Sequence, residues 1–186
     1  MPARMPHRLL MLLCAALLAT GLAACGESDT KQGVDEPARE GLALPLDGID
    51  YNVFITRELN PRITPDKSYV DPGTAPDATH TLYGVFLQAC NRGEGSTQTA
   101  DKFKIVDNQG NEFEPEPLPE SNDFAYKPKA LGPNECIPEK GSVAQLGPTA
   151  GSMLLFRLPL ANTEYRPLEL EIEGPKGGHL TYKLDV

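Results

Sequence analysis

The chain contains four cysteines, and their thiols are the side chains best suited to covalent chemistry. Cys25 follows the small residues Ala23 and Ala24 at the end of a long apolar run. A thiolate is a strong nucleophile, so Cys can accept an alkyl group where Ser would react poorly. Cys14 lies inside the apolar run and behaves there as a small hydrophobic residue. Cys25 is therefore the candidate site of covalent modification.

Residues 1–24 have the features of a secretory signal peptide. Arg4 and Arg8 place positive charge before the apolar residues 9–22, and small residues follow. As a helix, the 16 residues from 9 to 24 would extend about 24 Å, whereas the hydrocarbon core of a bilayer is about 30 Å thick. The sequence therefore predicts a cleaved signal peptide over residues 1–24 and not a membrane-spanning helix.

Residues 22–25, with the sequence Leu-Ala-Ala-Cys, resemble the lipobox of bacterial lipoproteins. The resemblance implies cleavage between Ala24 and Cys25 and a diacylglyceryl group on the Cys25 sulfur, with acyl chains of the palmitate type. Two or more chains hold a protein durably on a membrane, because each buried methylene contributes about 0.8 kcal/mol and a single chain binds reversibly. The alternative is an ordinary signal peptide with an incidental Cys25. We expect a lipid-anchored protein on a cell membrane, facing outside the cytoplasm.

Cys90 and Cys136 are the two cysteines of the downstream region. An even pair in an exported domain is typical of a disulfide. Closing a loop of about 46 residues would stabilise the fold by roughly 4 kcal/mol in the chain-entropy model. A redox-active pair is the alternative, but such pairs usually have Cys-X-X-Cys spacing at a helix start, which neither residue has.

The composition describes an acidic protein. The full chain has a net charge of -9, and removing residues 1–24, which hold two arginines and no acids, leaves 15 basic and 26 acidic residues, a net charge of -11. Nucleic acids bind through clusters of Lys and Arg, which this sequence lacks. Anionic lipid surfaces are disfavoured for the same reason.

Few residues suggest a catalytic or metal site. Metal sites need several converging ligands, and His80, His179 and Met153 are scattered among predicted strands and turns. Residues 28–31 have the Ser-x-x-Lys spacing of penicillin-interacting enzymes, but that motif requires a helix beneath an active-site cleft. We interpret this match, three residues from the predicted anchor, as chance. The sequence indicates no catalytic residues and no cofactor.

Acidic side chains are frequent between residues 107 and 123. They are Asp107, Glu112, Glu114, Glu116, Glu120 and Asp123. Ca²⁺ takes about six to eight oxygen ligands, but the spacing of an EF-hand is absent, so a solvated acidic loop is favoured over a Ca²⁺ site. Residues 115–119, Pro-Glu-Pro-Leu-Pro, predict a stiff extended segment that serves as a connector or, alternatively, as a recognition surface.

Four aromatic residues lie outside regular strand patterns: Tyr69, Phe124, Tyr126 and Tyr165. Aromatic side chains often anchor partners at interfaces. Packing in the core or in loops is favoured for these four, and anchoring of a partner is the alternative.

The remaining sequence predicts a tether followed by one β domain. Residues 25–47 are polar and indicate a flexible linker after the lipidated Cys25, whereas residues 48–186 have the length of a typical domain. Apolar residues there alternate with a period of two, which indicates strands. The predicted strands are 49–55, 82–89, 103–106, 111–114, 142–146, 153–158, 168–173 and 179–186.

These strands predict an all-β, immunoglobulin-like antiparallel sandwich. Segment 82–89 is apolar on both faces and should be central, and 103–114 and 168–186 should form hairpins. The chain has no Trp, which excludes the Trp-on-disulfide core of antibody domains.

The order of these features resembles the telokin-like, immunoglobulin-like domain of unknown function found in bacterial lipoproteins. The segments that carry the resemblance are 87–91, 103–115, 131–133, 154–159 and 168–172. The resemblance implies a sandwich outside the membrane, without transferable catalytic residues. The chain departs from the family in the Pro-rich segment 60–78, an inserted loop, and in the loosely matched turn 138–142.

Together these features predict a non-enzymatic binding or interaction module, attached to the membrane by its lipid and partnered by another envelope protein. The alternative is a lipoprotein that binds a small ligand or Ca²⁺.

Overall fold

The computed structural model of the chain describes residues 36–71 and 73–186. The sequence expectations for Ala24, Cys25 and residues 28–31 lie outside the described residues. The strands of the described part, in chain order, are β1 (Ala38–Arg39), β2 (Ala43–Leu46), β3 (Ile49–Leu59), β4 (His80–Asn91), β5 (Thr97–Gln98), β6 (Lys102–Val106), β7 (Glu112–Phe113), β8 (Ala130–Leu131), β9 (Cys136–Ile137), β10 (Ser152–Pro159), β11 (Glu169–Glu173) and β12 (His179–Lys183). A one-turn helix α1 (Val143–Leu146) and 3₁₀ turns at Asp66–Ser68 and Leu160–Glu164 lie between them.

The strands form two principal sheets, as the sequence predicts. The first sheet has the order β1-β12-β11-β6-β7, and the second has the order β10-β4-β3-β2 with β9 beside β4. All pairings in these sheets are antiparallel except that of β1 with β12. Strands β5 and β8 form a separate, short antiparallel pair.

Strand β4 is central, which confirms its prediction. It pairs with β3 along one edge and with β10 and β9 along the other. Its odd-numbered apolar residues, such as Tyr83 and Val85, pack into the main core between the sheets. Leu82 and Phe86 enter a second apolar cluster on the outer face of the second sheet. Burial on both faces explains why this strand is apolar throughout.

Both predicted hairpins are present. Strands β6 and β7 pair around the turn at Gly110, and β11 and β12 pair over five residues around the turn at Gly177. Both glycines have positive φ, at 80° and 84°, a conformation that costs Gly little. In β11 and β12, Leu170, Ile172 and Tyr182 are buried in the main core.

The sandwich begins earlier than the sequence boundary at residue 48. Residues 43–46, which the composition places in the linker, form β2 and pair with β3 around Asp47 and Gly48. These two residues have φ of 54° and 96°, so both central residues of a two-residue hairpin turn are left-handed. Asp-Gly favours such turns, so this dipeptide is a sequence signal that could have predicted the hairpin.

The prediction of a strand over residues 142–146 is wrong. Ser142 instead caps helix α1, and its hydroxyl accepts a hydrogen bond of 3.3 Å from the Gln145 amide. Ser is a favoured N-cap because it satisfies an amide that the helix leaves open. Ala144 is the buried residue of the turn, while Leu146 is 74% exposed.

Period-two alternation in the predicted strand 49–55 would place Ile55 on the inward face with Tyr51 and Val53, and this expectation is wrong. Strand β3 has an irregularity in its register with β4 between Val53 and Ile55, which leaves Phe54 as an extra residue. An extra residue shifts the alternation by one, so Ile55 becomes 41% exposed and Thr56 is buried.

The structure joins Cys90 and Cys136 in a disulfide with an S–S distance of 2.05 Å, as predicted. The two residues are register partners in β4 and β9. The bond therefore holds the two-residue strand β9 against the central strand.

The Pro-rich segment 60–78 covers the second sheet. Tyr69 and Val70 are buried in the outer cluster with Phe86 and Phe124. The Tyr69 ring makes edge contacts with both phenylalanines, at centroid distances of 5.0 and 4.8 Å. Residues 60–71 of the segment thus form a layer that shields the outer face of the sheet.

Candidate functional site

A groove lies beside β6, where the short edge strand β7 ends and the rest of β6 has no neighbouring strand on that side. Strand β7 pairs with β6 only at Ile105 and Val106, and the chain then leaves the first sheet. Three residues after the end of β7, the Glu116 amide donates to the Leu155 carbonyl of β10, at 2.6 Å. Pro115 and Pro117 flank Glu116 and cannot donate to a strand ladder, which favours a short crossing over a longer β7.

The opposite wall of the groove is formed by residues 124–128. The Met153 amide donates to the Phe124 carbonyl at 2.6 Å, and the Tyr126 amide donates to the Met153 carbonyl at 2.9 Å. The Tyr126 hydroxyl donates to the Ala100 carbonyl at 3.0 Å. These bonds attach the wall both to β10 and to the chain that leads into β6.

The floor of the groove reaches the main core. Most core side chains are less than 5% exposed, whereas Phe103, Leu154 and Tyr126 retain 6, 7 and 8% exposure, and all three line the groove. The Phe103 and Tyr126 rings meet edge to face at 5.1 Å. The groove has a volume of about 1120 Å³ and is open to solvent along its length. It therefore offers an apolar surface between two sheet edges.

The backbone of Phe103 faces this groove. The Asp107 amide donates across the turn to the Asn111 carbonyl, which places the polar groups of Asp107 on the β7 side of the strand. The backbone N–H and C=O groups of successive residues point to alternate edges of a strand. The backbone groups of Ile105 and Phe103 therefore point to the same side as those of Asp107. Ile105 has a partner there in Phe113, but β7 ends before Phe103. The Phe103 N–H and C=O consequently lie on an open stretch of sheet edge.

Charged side chains surround the apolar floor. Seven acidic residues and three lysines line the groove. Lys102 pairs with Glu173 at 2.6 Å, and Lys104 pairs with Glu112 and with Glu171, the latter at 3.1 Å. The hydrogen bonds that Lys102 and Lys104 donate to these carboxylates raise the pKa of both lysines, so each ammonium stays charged. The rim is therefore acidic in sum.

Glu116, one of the predicted acidic residues, is held by Arg157. The guanidinium contacts both carboxylate oxygens and also donates to the Thr74 carbonyl at 3.2 Å. The hydrogen bond to Glu116 raises the pKa of Arg157. This two-point contact fixes the crossing segment against β10.

The other predicted acidic residues do not converge. Asp107 is buried and accepts four hydrogen bonds within the turn that follows β6, and Glu112 pairs with Lys104. Within residues 36–71 and 73–186, no three His, Cys, Asp or Glu side chains have the arrangement of a metal site. His80 Nδ1 lies 2.9 Å from Asp77 Oδ1, and His179 lies on the groove rim.

Three of the four aromatic candidates for partner anchoring are core residues. Tyr69 and Phe124 belong to the outer cluster, and Tyr126 belongs to the main core while also lining the groove. Tyr165 is 41% exposed.

Sequence reasoning missed the groove but singled out one of its walls. Residues 115–118, from the Pro-rich segment predicted as connector or recognition surface, line the groove. The contributions of Phe103 and Leu154 were missed because both fit ordinary core positions. No helix in the described part of the chain is long and apolar enough to cross a membrane.

The fold and groove define an antiparallel β-sandwich protein, and comparison with known proteins agrees at that level. The chain matches no model of a known protein family and no curated protein. Among solved structures, it is similar to the yjhA protein from Bacillus subtilis, with 10% identity, a TM-score of 0.49, and coverage of 80% of this chain and 99% of that one. An uncharacterised β-sandwich protein from Clostridium difficile 630 shows 12% identity, a TM-score of 0.48, and coverage of 86% and 100%.

The ycdA protein of Bacillus subtilis, a candidate lipoprotein, is similar with 11% identity and a TM-score of 0.50. The match covers 81% of this chain but 39% of that one. Identities this low concern the fold alone. The sheets of the structure itself show the all-β sandwich, and the resemblance to the telokin-like family stays a prediction.

Proposed function

We propose that this protein is a lipid-anchored, non-enzymatic binding module of the cell envelope, facing outside the cytoplasm. The observation that carries the proposal is the groove between β6 and β10. It places slightly exposed core side chains, at 6–8% exposure, beside an open strand edge, and open edges promote association. A surface of this kind is suited to holding another polypeptide.

The anchoring part of the proposal is supported by sequence. Cys25 follows a signal-like segment at the position where lipoproteins are acylated. The sandwich begins at Ala38, so 12 residues separate Cys25 from the first strand. A folded domain so near a lipid would act at the membrane surface, within reach of other envelope proteins.

Site-specific photo-cross-linking tests the binding role. The full-length chain is produced in a bacterium with a photoreactive amino acid in place of Lys127, which is exposed and lines the groove. Lys140 is equally exposed and lies outside the groove lining, so the same replacement there is the matched control. We expect a discrete cross-linked envelope protein from position 127 and none from position 140.

Two results would overturn this proposal. One is the absence of any product from position 127 in cells where the protein reaches its normal location. The other is an identical set of products from both positions, which would indicate random collisions.

A further inference from the structure

The open edge of β6 specifies the chemistry of a partner. Phe103 directs one N–H donor and one C=O acceptor into the groove, and the pairing of β7 with β6 stops at Ile105. An extended polypeptide carries the matching acceptor and donor on each alternate residue. A strand laid beside β6 would satisfy both groups of Phe103 and would continue the first sheet beyond the end of β7.

The side chains of such a strand would alternate between two environments. Every second side chain would face the interior of the sandwich, where Phe103, Leu154 and Tyr126 form the apolar floor. The side chains between them would face outward toward the charged rim. Apolar residues fit the inner positions, because the side chains that they would meet there are apolar core residues.

The rim charges determine what should flank those apolar residues. Lys102 and Lys104 are already paired with carboxylates, and the Lys127 ammonium donates to the Glu120 backbone carbonyl. In contrast, the exposed carboxylates of Asp101, Glu114 and Glu120 form no ion pair with any residue that the structure describes. Opposite charge across an interface favours association and excludes wrong partners. The rim therefore favours a basic partner and opposes a second copy of this acidic chain.

We infer that the groove binds an extended, basic polypeptide segment, which adds as a strand beside β6 with its apolar residues on Phe103 and its basic residues near Glu114 and Glu120. This inference rests on the proposed binding function and names the class of partner for the same site.

A labelled peptide, Lys-Arg-Val-Thr-Val-Arg-Lys, tests the inference by fluorescence anisotropy with the full-length chain in nonionic detergent. We expect saturable binding, which the double variant Glu114→Lys and Glu120→Lys weakens by roughly tenfold or more. The variant pair Glu94→Lys and Asp185→Lys makes the same charge change at exposed positions outside the groove and should leave the affinity within about twofold. If both double variants lost the same amount of peptide affinity, the effect would come from net charge alone and the inference would be overturned.

A second measurement tests strand addition itself. Hydrogen exchange of the Phe103 amide, followed by NMR, should slow when the peptide is added, because the added strand would accept its hydrogen bond. A peptide of the same sequence with N-methylated backbone amides should bind at least about tenfold more weakly. Unchanged exchange at Phe103, equal binding of the methylated peptide, or equal binding of a peptide with Glu in place of Lys and Arg would each overturn the inference.

The two proposals fail in different ways. If the cross-link from position 127 forms but resists an excess of the basic peptide, the strand-addition inference is wrong while the binding function stands. If the peptide binds as expected but no envelope protein cross-links, the groove chemistry stands and the proposed function in the envelope is wrong.

Discussion

A single carboxylate, that of Asp107, organises the turn that follows β6. Its Oδ1 accepts hydrogen bonds of 2.9 Å from the Gln109 and Asn111 amides. Its Oδ2 accepts from the side chains of Asn111 and Asn162, at 2.8 and 3.0 Å. Burial acts to raise the pKa of Asp107, but these hydrogen bonds outweigh it and lower the pKa to about 2. The sequence favoured a solvated acidic loop over a Ca²⁺ site for the stretch that contains Asp107, whereas the structure buries this carboxylate and uses it to hold the turn.

We predict that Asp107→Ala lowers the free energy of unfolding by about 1.5–3 kcal/mol at pH 7, because several donors lose a charged acceptor. A carboxyl whose pKa is lowered on folding stabilises the protein above its unfolded pKa of about 4, and that stabilisation disappears as the pH falls toward 2. The difference between wild type and variant should therefore shrink over this window.

Urea unfolding at a series of pH values measures this difference. Asp101→Asn, at an exposed carboxylate, is the control and should change stability little at any pH. A wild type and an Asp107→Ala variant that unfold with the same free energy at pH 7 would contradict the assigned role.

Tyr182 shows how a buried polar group is satisfied between the sheets. Its side chain is fully buried, and its hydroxyl lies 2.9 Å from the Leu42 carbonyl and 2.7 Å from that of Tyr51. Burial raises the pKa of Tyr182, so the phenol stays neutral at physiological pH. The alternating pattern predicted an inward Tyr182, but its acceptors come from residues more than a hundred positions earlier in the chain.

At the scale of elements, the segment 60–78 has a structural role that its Pro content obscured. Asp66 is buried and joins the segment to β3 by a salt bridge with Arg57, and within the segment it accepts a hydrogen bond of 2.9 Å from the Asn60 amide. Tyr69 has no exposed surface, and its hydroxyl lies 3.2 Å from the Thr149 hydroxyl. The segment thus connects distant parts of the outer layer.

We predict that Tyr69→Ala destabilises the protein by about 3–5 kcal/mol, because it removes a large buried ring and leaves a cavity beside Phe86 and Phe124. Ile63→Ala in the same segment should cost less than about 0.5 kcal/mol, since Ile63 is 55% exposed. Chemical unfolding of both variants checks this. A Tyr69→Ala variant with wild-type stability would show that the segment does not pack as described.

At the scale of the whole molecule, the net negative charge and the predicted lipid anchor have opposite effects on contact with a membrane. Acidic side chains outnumber basic ones in the chain, which opposes contact with anionic lipid headgroups. Attachment through Cys25 would hold the sandwich at a membrane that its own surface does not attract.

We predict that the full-length chain expressed in a bacterium incorporates a labelled fatty acid and partitions into the detergent phase, and that Cys25→Ser abolishes both. The physical reason is that a hydroxyl is a much weaker nucleophile than a thiolate. Cys14→Ser changes the other thiol of the N-terminal segment and should retain label and partitioning. Retention of both properties by Cys25→Ser would rule out the lipid anchor.

Much of the sandwich was predictable because its strongest signals are local. Period-two alternation in residues 82–89 and 168–173 predicted strands, and Gly-rich turns predicted hairpins. The even number of downstream cysteines predicted the disulfide, because the signal-like segment led us to expect an exported domain. Helix α1 was mistaken for a strand because four residues hold too little periodicity to separate the two structures.

By itself, the sequence determined the class of fold, the disulfide and the expectation for Cys25, because each depends on neighbouring residues or on a count. The groove was decided only by the tertiary structure. Its existence depends on the point where β7 stops pairing and on the contact of Glu116 with Leu155, 39 positions away. Phe103 and Leu154 have the composition of ordinary core residues, and only the packing of two sheet edges leaves them partly open to solvent.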